Sequence, residues 1–304
     1  MPPETTLAPP EAEVRPPNDL RTLESGLDAL QTAPIAEKRA WRKFVVGVLP
    51  PVLFLIMLIV AWQVYIVVVH PRPDRFPGPL DVINAFDGAW RSGRVQLAVA
   101  TSLGRGAFGF LIAVAIGTPL GLLLAEVRIV RRALGPLISG LQVLPSVAWV
   151  PAAIIWFGLS DATVYFVVIM GAVPSIANGL VSGIDQVPPQ LRRVGIVLGA
   201  SRLQLATLVV LPAAMPGYVG GLKQGWAFSW RSLMAAEIIA TGGTMGFGLG
   251  SMLQQNRELA DLAGVLTTIL LILAIGILIE LVAFAPVERR LLRGRGLLIT
   301  RSAK

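Results

Sequence analysis

Residues Phe44–Val69 read FVVGVLPPVLFLIMLIVAWQVYIVVV, twenty-six positions without a formal charge. About twenty apolar residues cross the hydrocarbon core of a bilayer, so this stretch predicts a transmembrane helix, with a kink expected at Pro50 and Pro51. A cluster of cations stands directly before it: Lys38, Arg39, Arg42 and Lys43. This segment indicates that the chain enters a membrane.

The composition of the whole chain is that of a membrane protein. Of its 304 residues, 54% are hydrophobic and 14% carry a charge, whereas about 25% are charged in ordinary globular domains. The net charge of +8 does not indicate a nucleic-acid partner, because the cations flank apolar runs rather than alternating with aromatic residues. We expect an integral membrane protein surrounded by lipid, with no nucleic acid bound.

Residue counts exclude several kinds of active site. The chain has no Cys and one His, His70, so disulfides, thiolate chemistry and Cys- or His-rich metal sites are not expected. No nucleophile stands beside a base, and the Gly-rich stretch Gly242–Gly250 lacks the Lys of a phosphate-binding loop. The sequence predicts a non-catalytic chain without a cofactor or metal of its own.

Five further stretches are apolar and long enough to cross a membrane: Ala98–Ala125, Ala133–Ser160, Ala162–Ile184, Pro212–Thr241 and Leu262–Val287. Six spans place both termini on one side. Eighteen of the 26 Lys and Arg residues lie on that side and five in the opposite loops, so the positive-inside rule predicts cytoplasmic termini. The predicted fold class is an all-α integral membrane protein with six transmembrane helices.

The chain divides into four predicted parts. Residues 1–40 form a polar, Pro-rich cytoplasmic tail, disordered except for one short amphipathic or fraying helix at Leu20–Leu30. Residues 41–96 hold the first span and a helix, Pro79–Trp90, that rests on the outer interface; an ordinary outer loop is the alternative. Residues 97–290 form a five-helix core with a cytoplasmic loop at 185–211, and residues 291–304 form a cytoplasmic tail.

The loop between the fourth and fifth predicted spans has its own local signals. It reads QVPPQLRRVGIVLGAS over Gln186–Ser201. Pro188 and Pro189 open a helix, and Gly199 ends it in the left-handed conformation; a second short helix, Ser201–Val210, leads to Pro212. These residues alone allow two readings, a helix–Gly–helix elbow along the inner surface or a simple connection between spans.

Gly199-Ala200-Ser201 followed by Leu211-Pro212 resembles the coupling-loop signature of permeases from binding-protein-dependent ABC importers. Several further motifs, in the same order along the chain, resemble one class within that family, the nitrate, sulfonate and taurine importers. They are FPGP at 76–79, TSLGR at 101–105, LP at 144–145, WFG at 156–158 and AAE at 235–237. The resemblance covers residues 75–290. In one departure, Arg193, Val194 and Gly195 stand where the family has Glu-x-Ala, so a cation replaces the usual acid facing the ATPase.

The resemblance implies the fold of type I ABC importers, like the methionine and maltose permeases, in a bacterial inner membrane. It implies a second permease chain (a homodimer), two ATP-binding subunits that hold ATP and Mg²⁺, and an extracytoplasmic substrate-binding protein. The implied ATPase-coupling residues are Pro189, Arg192, Arg193, Gly195, Gly199, Ala200 and Ser201. The expected cargo is a small anion, first an aliphatic sulfonate and otherwise taurine, nitrate or bicarbonate. The alternative is a secondary transporter or channel for a small anion.

Charged residues inside the spans are expensive in lipid and predict a translocation path at Arg105, Lys223, Arg231 and Glu237. The structural alternative is that Arg231 snorkels, that Arg105 pairs with Glu237, and that Lys223 pairs with Glu237 or another buried acid. Gly246, Phe247 and Gly248, in an outer loop, are predicted to form an outer gate.

Small residues recur every four positions in two of the spans. The two stripes predict close helix packing within the chain or, alternatively, at a dimer or gate surface: Gly109, Ala113, Gly117 and Gly121, and Gly217, Gly221 and Gly225.

Overall fold

The computed structural model describes residues 39–72 and 74–293, and within these ranges every regular element is helical. The elements are α1 (Arg39–Val69), α2 (Pro79–Arg91), α3 (Arg94–Glu126), α4 (Arg128–Val143), a 3₁₀ turn (Ser146–Trp149), α5 (Val150–Phe157), α6 (Asp161–Asp185), α7 (Pro189–Val197), α8 (Arg202–Ile239), α9 (Leu249–Glu258) and α10 (Leu262–Arg293). The predicted tail helix at Leu20–Leu30 lies outside the described residues, as does the C-terminal tail beyond Arg293. The contacts divide the chain into one unit ending at Ala61 and a second beginning at Trp62.

Five helices are long and apolar enough to cross a membrane: α1 over Leu49–Val69, and α3, α6, α8 and α10. The predicted span Ala133–Ser160 is wrong as a single helix, because α4 and the segment Ser146–Phe157 meet at a bend of 99°. Pro145 has no N–H and disfavours a helical residue before it, and Leu144 is extended, with φ −67° and ψ 124°. The count of six spans holds if this bent pair is one broken span.

The fifth predicted span is longer than expected. The short helix predicted to end before Pro212 instead continues into the span, so that α8 is one helix of 38 residues. Its residues Leu205–Val210 form a stretch of wider π-helix just before Pro212. The elbow and the membrane interior are therefore joined by one continuous helix.

Small residues hold α6 against both α3 and α8. A Cβ on Gly221 would lie 2.6 Å from the Cα of Gly179, and a Cβ on Gly117 would lie 3.0 Å from the Cβ of Ile176. Real Cβ atoms essentially never show the first distance and seldom the second, so glycine permits these helix crossings. The prediction that both stripes serve close packing within the chain is confirmed.

The predicted outer helix is confirmed as α2, which excludes the ordinary-loop alternative. Its first turn is closed by the Asp81 carboxylate, which accepts a hydrogen bond of 2.8 Å from the N–H of Gly78. Val82 is buried, and its carbonyl accepts a hydrogen bond of 2.9 Å from the hydroxyl of Thr267 in α10. Part of the apolar face therefore packs on α10 instead of resting on the interface.

Candidate functional site

The predicted elbow is formed by α7 and the start of α8. Gly199 has φ +78°, and nothing lies within 4 Å of a Cβ placed on it, so glycine is needed there for its backbone conformation. Its N–H donates to the carbonyl of Ile196 at 3.0 Å, and the N–H of Ala200 donates to the carbonyl of Gly195 at 3.0 Å. This is the Schellman pattern, which satisfies the last carbonyls of α7.

The second half of the elbow is fixed by a capping box and a close contact. The Ser201 hydroxyl accepts from the N–H of Gln204 at 3.3 Å, and the Gln204 side chain accepts from the N–H of Ser201 at 2.8 Å. A Cβ on Gly195 would lie 2.6 Å from Cδ1 of Leu205, so α7 rests directly on α8. The helix–Gly–helix reading of this loop is confirmed.

The outward side of the elbow combines apolar and cationic side chains, and we call it the elbow surface: Arg192, Arg193, Val197, Leu198, Arg202 and Leu203. Val197 is 86% exposed, Leu198 80% and Leu203 73%. None of the three arginines forms an ion pair within the described ranges. The one acid in 185–211, Asp185, is bound by Arg131 from α4. The elbow surface therefore combines exposed apolar side chains with a positive charge.

Arg105 and Glu237 form a buried ion pair, which matches the structural alternative for these residues. Glu237 is fully buried and accepts hydrogen bonds from Ser102 Oγ at 2.7 Å, Arg105 Nη1 at 3.0 Å and the N–H of Gly250 at 3.0 Å. Arg105 also contacts Asp161 through Nη2 at 2.7 Å. The network joins α3, α6, α8 and α9.

The predicted outer gate lies directly on this ion pair. A Cβ on Gly248 would lie 2.4 Å from Glu237 Oε1, and one on Gly246 would lie 3.6 Å from Arg105 Nη2. The ring of Phe247 is covered by the guanidinium of Arg94, 5.6 Å from its centroid. Two of the four predicted path residues, Arg105 and Glu237, therefore form one cluster with the predicted gate at the end of α8.

Lys223 pairs with acids of α10 and not with Glu237. Its Nζ lies 2.5 Å from Glu280 Oε1 and 3.6 Å from Glu288 Oε2. The three side chains are two-fifths to about one-half exposed, so this cluster lies on the surface of the α8–α10 pair and not in its interior.

Neutralising Lys223 should lower the amount of folded, assembled protein, because it leaves two neighbouring carboxylates without their cation. We expect Lys223→Gln to reduce the assembled, detergent-soluble fraction about two- to fivefold, the range for a partly exposed ion pair. Adding Glu280→Gln should restore most of it, whereas Arg257→Gln, at an exposed arginine without an ion pair in the described ranges, should have no effect. Normal assembly with lost uptake in Lys223→Gln would contradict this and favour a lining role.

Arg231 differs from the other charged residues in the spans. Its Nε donates to the carbonyl of Ala227 at 3.2 Å, its Cζ lies 4.7 Å above the Phe228 ring, and it has no acidic partner in the described part of the chain. It lines a cavity of about 260 Å³ beside the break between α4 and α5.

Sequence reasoning missed three partners of the predicted charges: Asp161, Ser102 and Glu288. Asp161 is the first residue of α6, and its position at the start of a span could have identified it as a counter-ion for a cation on another helix. Ser102 and Glu288 carry no such signal, because their contacts depend on how α3, α8, α9 and α10 are rotated against one another.

Comparison with known proteins identifies the family. Residues 117–291 match the family described as the inner membrane component of binding-protein-dependent transport systems. The bicarbonate transport system permease of Synechococcus elongatus is 30% identical over 255 residues, covering 80% of this chain and 89% of the relative. The taurine transport system permease of Escherichia coli is 33% identical over 193 residues, covering 64% of this chain and 68% of the relative.

A structure of the MetNI methionine ABC transporter in an inward-facing conformation shares the fold. The TM-score is 0.54 at 20% identity, over 64% of this chain and 94% of the other. The predicted fold, that of a type I ABC importer permease, is confirmed. The chain therefore belongs to the membrane permeases of binding-protein-dependent ABC importers, in the class that contains the bicarbonate and taurine permeases.

Proposed function

We propose that two copies of this chain form the translocation path of an ATP-driven importer for a small anion. An aliphatic sulfonate is the first candidate cargo, and taurine, nitrate and bicarbonate are the others. ATP and Mg²⁺ are held by two separate ATP-binding subunits, and an extracytoplasmic binding protein delivers the cargo. Both termini, and with them the elbow, face the cytoplasm of a bacterial cell.

The observation that carries this proposal is the elbow surface. Val197 and Leu198 project at more than three-quarters exposure from a helix end that hydrogen bonds and a glycine contact hold in place. These residues lie outside every candidate membrane span, and an exposed apolar patch rimmed by cations suits a docking site for another protein. Because Arg193 occupies the position of the family's acid, we expect the groove that receives α7 to present acidic side chains.

The helix that follows the elbow supplies a path for coupling. α8 begins at Arg202 and carries Glu237 near its other end, so one continuous helix of about 50 Å connects the docking site to the gate cluster. When the ATP-binding subunit pushes on the elbow, α8 moves and displaces the Glu237 carboxylate, which contacts Gly248 and Gly250. ATP-driven closure at the inner surface thereby alters the outer gate.

Affinity purification tests this assignment. The tagged chain, extracted in mild detergent, should recover an ATP-binding subunit, and reconstitution with the binding protein should give ATP-dependent uptake of ethanesulfonate. Arg192→Glu together with Arg193→Glu should lower recovery of the subunit at least tenfold, since like charges then face each other. The matched control, Arg257→Glu on the opposite side, should leave recovery unchanged. Failure of the wild-type chain to recover an ATP-binding subunit contradicts the importer proposal, and full recovery with the double variant contradicts docking through the elbow surface.

A further inference from the structure

The cavity beside the broken span is lined by both apolar and polar side chains. It measures about 260 Å³, a little below the range of pockets for drug-sized ligands, and thus suits a small ion that carries a few carbon atoms. Its apolar lining includes Leu141, Leu144 and Val147, and its polar lining consists of Arg231, Ser146 and Gln142. No acidic side chain lines it within the described part of the chain.

Arg231 is exposed and not neutralised. Its guanidinium donates through Nε to the carbonyl of Ala227 and lies over the ring of Phe228. Its terminal N–H groups have no partner among the residues that the structure describes. By contrast, Arg105 and Lys223 each contact two carboxylates. A guanidinium with free, forked donors beside a cavity is suited to an oxyanion, which it binds through paired hydrogen bonds.

Ser146 adds a second donor to the lining of the cavity. Its Oγ accepts a hydrogen bond of 2.6 Å from Ser232 Oγ, so its own hydroxyl hydrogen is available to the cavity. Gly171 leaves room for this pair, since a Cβ there would lie 2.4 Å from Ser232 Oγ. The cavity is therefore lined by donors from a cation and a hydroxyl, and by apolar surface from Leu144 and Val147, both about two-fifths exposed.

We propose that this cavity binds an alkyl oxyanion, with the charged head on Arg231 and Ser146 and a short alkyl chain against Leu144 and Val147. The inference rests on the proposed function, because the occupant is the cargo in transit. It narrows that cargo from small anions in general to those with an apolar tail. Nitrate and bicarbonate have no alkyl group to bury, whereas each buried methylene strengthens binding about fourfold.

The absence of cysteine from the chain gives a direct test. Val147→Cys places one thiol in the cavity wall while Arg231 and Ser146 stay intact. In the purified complex with its ATP-binding subunits, in nanodiscs of neutral lipid, labelling of this chain is followed by mass spectrometry. The reagents are the anionic ethylsulfonate and the cationic ethyltrimethylammonium methanethiosulfonates.

We expect the anionic reagent to react at least tenfold faster than the cationic one, relative to their rates with a free thiol. Arg231→Gln in the same background should abolish that preference, and Arg231→Lys should retain part of it. Leu80→Cys, on the exposed side of α2, should show no preference. Equal rates of the two reagents at Val147→Cys would overturn the proposal.

Protection from labelling tests the apolar half of the site. Butanesulfonate should halve the labelling rate at a concentration at least tenfold lower than methanesulfonate or nitrate needs. Equal protection by all three anions would overturn the assignment to alkyl oxyanions. If phosphatidylglycerol in the nanodiscs slows labelling and butanesulfonate in neutral lipid does not, the cavity binds a lipid headgroup. That result would overturn its assignment to cargo.

Labelling needs neither ATP nor import, so the two proposals can fail separately. Charge preference and butanesulfonate protection without ATP-dependent uptake would support the site and contradict the importer. ATP-dependent uptake that Arg231→Gln leaves at the wild-type rate would contradict the site and leave the importer standing.

Discussion

Replacing Glu237 with Leu should reduce the amount of folded, assembled permease at least tenfold. Glu237 is fully buried and accepts three hydrogen bonds, and its loss leaves the nearly buried guanidinium of Arg105 with Asp161 alone. Removing one partner of a buried ion pair costs about 3–5 kcal/mol, a large share of the free energy of unfolding of a typical domain. Size-exclusion chromatography of the detergent-extracted chain, with its thermal aggregation midpoint, measures the effect.

A double substitution separates a structural role from a role in transport. Arg105→Met with Glu237→Leu replaces the pair by apolar side chains of similar size, which is often tolerated, so assembly should recover substantially. Asp161 then loses the contact of its buried Oδ1 with Arg105, but the side chain as a whole is about half exposed, so water can replace the guanidinium. As a control, Glu258→Leu removes an exposed acid that bonds only Gln254 among the described residues. A Glu237→Leu chain that assembles normally but fails to transport would contradict the structural role.

Gly199→Val should abolish at least nine-tenths of uptake while the chain remains inserted. A β-branched residue is strongly disfavoured at φ +78°, so α7 would lose its Schellman end and the elbow surface would turn away from its partner. Since nothing lies near this position, the effect comes from the backbone and not from crowding. ATP hydrolysis by the complex should continue without import, and parallel assays of phosphate release and uptake measure this.

Asparagine provides the matched control at the same position. It tolerates the left-handed conformation better than other residues with a side chain, so Gly199→Asn should keep most of the uptake that Gly199→Val loses. If the two variants transport equally well, the conformation of Gly199 does not matter for coupling. If both variants fail to bind the ATP-binding subunit, Gly199 is needed for docking of that subunit and not only for coupling.

The sequence predicted the elbow correctly because the signals are local. Pro188, Pro189 and Gly199 act through their own backbone restrictions within one short stretch, and the capping residue Ser201 follows directly. The same holds for α2, whose boundaries follow from Pro79 and an apolar stripe. The broken span was missed because lack of charge identifies a membrane segment but not whether Leu144 and Pro145 interrupt it.

The ion pairs were predicted less well. Lys223 and Glu237 lie on nearly the same face of α8, but fourteen residues along one helix separate their Cα atoms by about 21 Å, too far for a direct contact. The partners of Lys223 come instead from α10, and those of Glu237 from α3 and the start of α9.

The sequence by itself determined the membrane class, most of the spans and the elbow, because a bilayer requires each span to be apolar and each turn to satisfy its own backbone. Tertiary structure alone decided which charges neutralise one another, why a gate position such as Gly248 has no room for a side chain, and which arginine has no acidic partner in the described residues beside a cavity. These depend on the rotation and crossing of helices far apart in the chain. Only the packing of α3, α6, α8, α9 and α10 against one another brings Arg105, Glu237 and Gly248 together, and leaves Arg231 without a counter-ion in the described part of the chain.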